Sequence, residues 1–182
     1  MWRVHRHIGM GGDQIVKAIA GEEVERTHGD SLRTASKEEF KPLRDECVAL
    51  EGAHDLIVAL KRRGLNVVLA SSSSADDLDH FLELLDVKDI VDDWTTSDDV
   101  ERTKPHPDVI HAALEKAGTQ DAVMVGDSRW DIEAAANAGL ETVCVITGGW
   151  SEQELREHGA VAVFDSLVGL REHLDETPLG RA

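Results

Sequence analysis

The chain has 182 residues, 41% of them hydrophobic and 30% charged, which is enough for one domain of ordinary size with an appendage. Nineteen basic residues against 36 acidic ones give a net charge of −17 with no basic cluster, which argues against a nucleic acid or an anionic membrane as partner. No apolar run approaches the roughly 20 residues that cross a bilayer, and the opening MWRVHRHIGM lacks the apolar centre of a signal peptide, so we expect a cytoplasmic location.

Residues 1–48 are predicted to be helical, with no strand among them. DQIVKAIAG (13–21) has the spacing of a short helix, and the long charged stretch after it is mostly helical. Its sparse apolar anchors are predicted at Val24, Leu32, Phe40 and Leu43. We interpret residues 1–48 as the remnant of a helical cap domain.

From about residue 50, short apolar strands alternate with amphipathic helices. Strands are predicted at 65–70, 89–96, 122–126, 141–147 and 160–165, and helices at 54–64, 75–87, 106–118, 128–139, 151–159 and 166–174. This alternation indicates an α/β core over residues 49–176, with a Rossmann-like parallel sheet covered by helices on both faces. The last residues, 177–182, are predicted to be a flexible tail.

A pair of carboxylates follows the predicted strand 122–126, in the sequence VGDSRWD. Asp127 lies directly after the strand, and Asp131 follows four residues later, on the same face of the next helix. Carboxylate oxygens at a strand end suit Mg²⁺, and Asp131 would orient a metal-bound water. The alternative is that Asp127 and Ser128 only cap the helix, with Asp131 in its favourable first turn.

A lysine precedes a proline in TKPHPD (103–108), in the loop before a predicted helix. An ammonium fixed there would neutralise a phosphate and the carboxylates around it, so Lys104 is a candidate phosphate ligand. The alternative is an ordinary surface lysine.

A run of serines follows the strand in VVLASSSS (67–74). The hydroxyl of Ser71 and nearby backbone N–H groups would bind a phosphate oxygen, with Ser72 offering a further hydroxyl. The alternative is a turn whose last serine, Ser74, caps the next helix. No nucleophile-elbow glycine pattern surrounds these serines, which disfavours a serine hydrolase.

Together, a strand-end serine, a lysine before proline and GD-x-x-x-D occur in the order found in the haloacid dehalogenase-like (HAD) superfamily of hydrolases. The chain resembles its phosphoglycolate-phosphatase-like members closely over residues 45–175, and loosely, as a helical cap, over 1–45. The resemblance implies a Mg²⁺-dependent phosphatase for a small phosphorylated metabolite, such as a sugar phosphate or phosphoglycolate. It implies that Ser71 and Lys104 are catalytic, that Ser72 assists phosphate binding, and that Asp127 and Asp131 lie at the metal.

The glycine-rich sequence IGMGGDQ (8–14) is the candidate substrate-facing loop of the cap, through Gly11, Gly12 and Asp13. The alternative is a plain loop that enters a helix. No arginine lies among these glycines, which slightly disfavours the hexose-phosphate mutases of the superfamily.

The family's nucleophile motif, D-x-D-G-T, does not occur in the sequence. Neither DLD (77–79), inside a predicted helix, nor VFDSLVG (163–169), after the fourth motif, can replace it. In the family this motif ends the first, central strand, between the strands that lead to Ser71 and Asp127. We therefore expect a sheet that lacks its central strand, with an opening of about 9–10 Å between those two strands. The unpaired backbone groups along it would make the isolated chain unstable and inactive.

The opening sequence WRVHRHIGMGGDQIV resembles the middle of a cap. We expect Met1 to be an internal methionine, preceded by a few tens of residues that carry the nucleophile; a genuine loss of that segment is the alternative.

Two other functions stay open. A dehalogenase would share the fold without needing a metal, which the intact GD-x-x-x-D pair disfavours. A non-catalytic protein would bind phosphate or Mg²⁺, or act as an interaction module. The oligomeric state is left open.

Overall fold

A computed structural model of the protein describes residues 2–180. The strands are short and are β1 (Val68–Leu69), β2 (Asp93–Trp94), β3 (Val123–Gly126), β4 (Glu141–Val145) and β5 (Ala162–Phe164). The helices are α1 (Trp2–His5), α2 (Gly12–Ala20), α3 (Glu22–Arg44), α4 (Ala53–Arg62), α5 (Ala75–Leu85), α6 (Asp108–Ala117), α7 (Arg129–Asn137), α8 (Glu152–Glu157) and α9 (Leu167–Glu172). Each predicted element of the α/β core is present, with the strands shorter than the apolar runs that predicted them.

The strands form two separate parallel ladders. β1 pairs with β2, and β3, β4 and β5 pair in that order, with Val143 of β4 opposite Val125 on one side and Ala162 on the other. Within residues 2–180 no strand pairing joins β1 to β3. The predicted α/β class is therefore confirmed, and the sheet is divided where the central strand was expected to be missing.

Side-chain packing, rather than a continuous sheet, holds the two ladders in one body. Val143 and Val145 of β4 pack with Leu56 and Leu60 of α4, and Val67 beside β1 joins the same cluster. Cys144 points to the other face of the sheet, where Ile132 of α7, Leu155 of α8 and Trp150 surround it. Because alternate strand residues point to opposite faces, β4 is buried on both sides, as expected of a strand covered by helices on each face.

Serine caps begin four of the core helices, and at α9 the Ser166 hydroxyl accepts from the Gly169 N–H. The hydroxyls of Ser74, Ser128 and Ser151 accept hydrogen bonds from the backbone N–H groups of Asp77, Asp131 and Glu154. Each hydroxyl pairs a donor that the helix itself leaves unpaired, which stabilises a helix start by about 1 kcal/mol. The predicted cap at Ser74 is therefore confirmed.

The prediction of a flexible tail over 177–182 is wrong for residues 177–180. These residues form 3₁₀ turns on the core, in which Thr177 and Leu179 are buried. The Thr177 hydroxyl donates to the Leu174 carbonyl oxygen at 2.8 Å and accepts from the Leu179 N–H at 3.2 Å. Leu179 packs into the cluster of α4 and α9, an interaction that the polar local sequence does not indicate. Arg181 and Ala182 lie outside the described residues.

In the segment predicted to be a cap remnant, α2 and α3 pack on each other. Phe40 of α3 contacts the core through Phe81, at 6.5 Å between ring centroids. Two predicted anchors are wrong: Leu32 and Leu43 are 45% and 52% exposed. The reason is that α3 has 23 residues and little more than α2 packs beside it, so only a narrow stripe of its surface is covered. Met1 is outside the described residues.

Among residues 2–180, no helix combines the length and the apolar character needed to cross a bilayer.

Candidate active site

The turn between β3 and α7 positions the two predicted metal carboxylates. The Asp131 carboxylate folds back over the start of α7, where one of its oxygens, Oδ2, accepts from the N–H groups of Asp127 at 3.2 Å and Ser128 at 3.0 Å. The Ser128 hydroxyl donates to the same oxygen at 2.7 Å. Gly126 allows this close approach, because a Cβ there would overlap the Asp131 side chain. Ser128 and Asp131 thus cap α7 reciprocally, as the helix-cap alternative describes, while the predicted role of Asp131 at a metal stays a prediction.

The second oxygen of Asp131 binds the predicted lysine. The Lys104 Nζ donates to Asp131 Oδ1 at 2.8 Å, and both side chains are largely buried, at 19% and 6% exposed. Burial alone would raise the pKa of the Asp131 carboxyl, but the Lys104 ammonium and the donors at the start of α7 outweigh it and hold that pKa below its ordinary value. Asp131 is thus a buried, ionised group that aligns the lysine, and Lys104 is no ordinary surface residue.

Asp127 lies in a different environment, although it is four residues away. The Thr147 hydroxyl, after β4, donates to Asp127 Oδ2 at 2.9 Å. Burial raises the pKa of the Asp127 carboxyl; the nearby Asp131 charge adds to this, while the Thr147 hydrogen bond and Lys104 oppose it. The ionised form of Asp127 is therefore held at a cost, which a cation beside it would relieve.

A divalent cation fits Asp127 better than it fits Asp131. Thr147 is the one side chain of residues 2–180 that donates to the Asp127 carboxylate, so Oδ1 keeps its lone pairs for a metal, whereas both oxygens of Asp131 are occupied. In the described part of the chain, no group of three or more His, Cys, Asp or Glu side chains is arranged to hold a metal. The free carboxylate oxygen of Asp127 is a hard ligand of the kind that Mg²⁺ accepts.

The serine turn follows β1 at the same end of the fold. Ala70, the residue before Ser71, packs in one cluster with Met124 of β3 and Ala134 of α7. The Ser71 hydroxyl oxygen accepts from the Ser73 N–H at 3.1 Å, so its proton is left to donate to a ligand. Ser72 lies half-buried in the same turn.

The glycine-rich segment contacts the lysine loop directly. The Gly11 N–H donates to the Lys104 carbonyl oxygen at 3.1 Å. The Asp13 carboxylate accepts from the Thr103 N–H at 3.2 Å and from the Thr103 hydroxyl, and Gln14 donates to it at 2.7 Å. Burial opposes the change, but these hydrogen bonds lower the pKa of Asp13. A side chain at Gly11 would overlap the Thr103 hydroxyl.

Gly11 and Asp13 thus lie against the lysine loop, as a loop facing the site would. Gly12 does not: it begins α2, is exposed, and has open space where a Cβ would lie. Of the three residues predicted for the cap loop, Gly12 is the one that the structure keeps away from the other site residues.

Several residues near the site were not predicted from the sequence. Arg6 lies 3.6 Å over the Trp150 ring and forms an ion pair with Glu154, and His7 stacks on Trp130 at 5.7 Å. These pairs join positions more than a hundred residues apart, and no local pattern indicates them. Thr147 had a signal, because it begins the polar TGG that ends the strand 141–147.

The sequence model of the haloacid dehalogenase-like hydrolases matches residues 2–145. The pyrophosphatase PpaX of Bacillus cereus strain B4264 is 35% identical over 97 residues, which are 52% of this chain and 45% of that protein. The phosphoglycolate phosphatase of Rhodospirillum rubrum is 33% identical over 125 residues, 68% of this chain and 52% of that protein. The chain therefore spans about half the length of these curated relatives.

A solved structure of a hydrolase from Pseudomonas syringae superposes on this chain with a TM-score of 0.87 and 31% sequence identity. The match covers 96% of this chain and 82% of that one. It thus extends over both the N-terminal helices and the α/β core.

Proposed function

The chain belongs to the haloacid dehalogenase-like hydrolase family, and from this we propose that it forms most of a Mg²⁺-dependent phosphatase for a small phosphorylated metabolite. The observation that carries the proposal is that two neighbouring carboxylates, Asp127 and Asp131, have opposite hydrogen-bonding environments. Asp131 accepts from several donors and fixes Lys104, while no side chain of residues 2–180 donates to Oδ1 of Asp127, whose pKa burial raises. Adjacent carboxyls whose pKa values are shifted in opposite directions are typical of a site that binds a charged ligand.

Each group has a defined task in phosphoryl transfer, which depends mainly on positioning and electrostatic stabilisation. The Lys104 ammonium, held by Asp131, neutralises negative charge on the phosphoryl oxygens. The Ser71 hydroxyl, which already accepts from Ser73, donates its proton to one of those oxygens. Asp127 would hold Mg²⁺, and the bound cation would supply further neutralisation of the phosphate, while Asp131 would act through Lys104.

The proposal assigns the nucleophile to a segment outside the 182 residues, since D-x-D-G-T is absent from them. That segment would place its strand between β1 and β3, whose facing edges are not joined to each other. Its first aspartate would attack phosphorus to form an aspartyl-phosphate as the ester P–O bond breaks. Its second aspartate would give a proton to the leaving oxygen, and would later take one from the water that hydrolyses the intermediate.

A small phosphorylated substrate is supported by the relatives, whose names specify phosphoglycolate phosphatase and pyrophosphatase activities. The proposed substrate is a sugar phosphate or a compound similar to phosphoglycolate. It would enter beside the glycine-rich segment, and the contacts of Gly11 and Asp13 with the lysine loop support that position. In the whole protein, the cap would close over the substrate and exclude water.

A second candidate is a non-catalytic protein that binds phosphate or Mg²⁺, or that acts as an interaction module. The absence of the nucleophile motif and the divided sheet favour it. Under this alternative the chain would bind inorganic phosphate with Mg²⁺ but would never turn over an ester, whatever segment precedes Met1.

The coding sequence upstream of Met1 provides the first test. An in-frame apolar strand followed by D-x-D-G-T supports the phosphatase, whereas a stop codon close upstream, with a protein that starts at Met1 by mass spectrometry, favours the non-catalytic alternative. The extended protein should then be assayed for phosphate release from p-nitrophenyl phosphate and for chloride release from 2-chloropropionate, each with Mg²⁺ and with EDTA. We expect phosphate release that EDTA abolishes. Chloride release that EDTA leaves unchanged would identify a dehalogenase and refute the proposal.

A further inference from the structure

Thr95 is a fully buried polar residue that follows β2 and faces the serine turn. Its N–H donates to the Leu69 carbonyl oxygen at 2.9 Å, which continues the pairing of β2 with β1. Its hydroxyl donates to the Ser71 carbonyl oxygen at 2.7 Å and accepts from the Ser71 N–H at 3.0 Å. One buried hydroxyl thus binds both backbone polar groups of Ser71.

This arrangement fixes the backbone of Ser71 and, with it, the origin of its side chain. The turn is held on its other side as well, because the Ser97 N–H donates to the Ser73 carbonyl oxygen at 2.9 Å. The Ser73 N–H in turn donates to the Ser71 hydroxyl oxygen, which leaves the hydroxyl proton available to donate. The segment after β2 therefore fixes the backbone from which the Ser71 side chain projects.

Burial of a threonine does not by itself require such bonds. Thr142 of β4 is also almost fully buried, at 1% exposed, yet its hydroxyl has no hydrogen-bond partner within residues 2–180. The pairing at Thr95 is thus specific to the turn that it supports, and Thr142 offers a matched control of the same residue type and burial.

We propose that Thr95 is a positioning residue that acts through Ser71 to orient the hydroxyl for a phosphoryl oxygen. The proposal rests on the proposed function, because it assumes that the Ser71 turn binds phosphate. Thr95 itself touches no ligand. Its hydroxyl fixes the backbone of the serine turn before phosphate binds, so that binding does not have to order the turn.

The test measures binding of inorganic phosphate to the 182-residue chain by ³¹P NMR titration in a buffer that contains Mg²⁺, with near-ultraviolet circular dichroism to verify folding. Thr95→Val keeps the shape and removes the hydroxyl, and should weaken phosphate binding about tenfold, which corresponds to one or two neutral hydrogen bonds. Thr95→Ser keeps the hydroxyl and loses only a buried methyl group, so it should lose stability but bind phosphate as the wild type does. Thr142→Val should leave phosphate binding unchanged.

The outcomes separate the two proposals. If the wild type binds phosphate and Thr95→Val binds it equally well, the positioning role is refuted and the proposed function stands. If Thr95→Ser, which is the milder change, loses phosphate binding while folded, the hydroxyl is not the cause and the positioning role is again refuted. If neither the folded 182-residue chain nor the folded extended protein binds phosphate, the proposed function fails and the positioning role fails with it.

Discussion

The pair of Lys104 and Asp131 gives the sharpest prediction for stability. Lys104→Met keeps most of the aliphatic stem and removes the charge from a contact of 2.8 Å. At an effective dielectric constant of about 20, that contact is worth about 6 kcal/mol of Coulomb energy before desolvation is subtracted. Removing one partner of a buried pair costs about 3–5 kcal/mol, because the other charge stays buried.

Asp131 keeps three other donors in the variant, namely the N–H groups of Asp127 and Ser128 and the Ser128 hydroxyl. These still stabilise the carboxylate, so we expect a smaller loss, about 2–3 kcal/mol in the free energy of unfolding at neutral pH. Urea unfolding followed by tryptophan fluorescence measures it. Lys41→Met is the control, because Lys41 pairs with Glu38 on the surface, where both side chains are more than 60% exposed, and should change stability by less than about 0.5 kcal/mol.

The pH dependence of the same loss provides a second check. In the wild type the folded pKa of Asp131 lies below its unfolded value, so its contribution is fully present above the unfolded pKa and is lost as pH falls through the folded pKa. In the variant the cause that lowers the pKa most is gone and burial raises it, so protonation at mildly acidic pH relieves the buried charge. The difference between wild type and variant should therefore shrink as pH falls from 7 towards 4. A loss no larger than that of Lys41→Met, or one that grows with acidification, would refute this reasoning.

Three further predictions concern other parts of the fold. Asp127→Asn should raise the melting temperature, since it removes a carboxylate whose folded pKa is raised, and should abolish Mg²⁺ binding by calorimetry; a destabilised variant that still binds Mg²⁺ would contradict this. Gly11→Ala should cost about 1–3 kcal/mol because its methyl group would overlap the lysine loop, while Gly12→Ala, which has open space, should be neutral; equal effects in urea unfolding would show that the contact is absent. Leu179→Ala should lower the free energy of unfolding by about 2–3 kcal/mol, whereas Leu43→Ala, at an exposed position, should have little effect. A larger loss for Leu43→Ala than for Leu179→Ala would support a flexible tail instead.

Local sequence patterns predicted a structural feature correctly wherever that feature depends on a single helix or strand. The continuous apolar run within residues 141–147 predicted a strand covered on both faces, and the serine before residue 75 predicted a helix cap. The order of the strand-end serine, lysine and carboxylates also predicted that the Lys104 and Asp131 side chains would share one site, where they form an ion pair. These features depend on periodicity and on the meeting of strand ends in a parallel sheet.

Other features depend on partners distant in sequence. The bond of Asp13 to Thr103 spans 90 residues, and that of Thr95 to Ser71 spans 24, so neither leaves a local signature. Leu32 was predicted to be an anchor because it is apolar, but burial requires a facing surface, which the described residues do not provide. Leu179 is the opposite case, since its polar neighbours hide an apolar contact with the core.

The most direct test of the phosphatase account is Mg²⁺-dependent hydrolysis of p-nitrophenyl phosphate by two proteins, the 182-residue chain and the same chain extended by the in-frame residues encoded upstream. We predict turnover for the extended protein, its loss on Asp127→Asn, and none for the 182 residues alone. A folded extended protein without metal-dependent turnover would contradict the phosphatase. Turnover by the 182 residues that Asp127→Asn abolishes would contradict the claim that the nucleophile lies outside them.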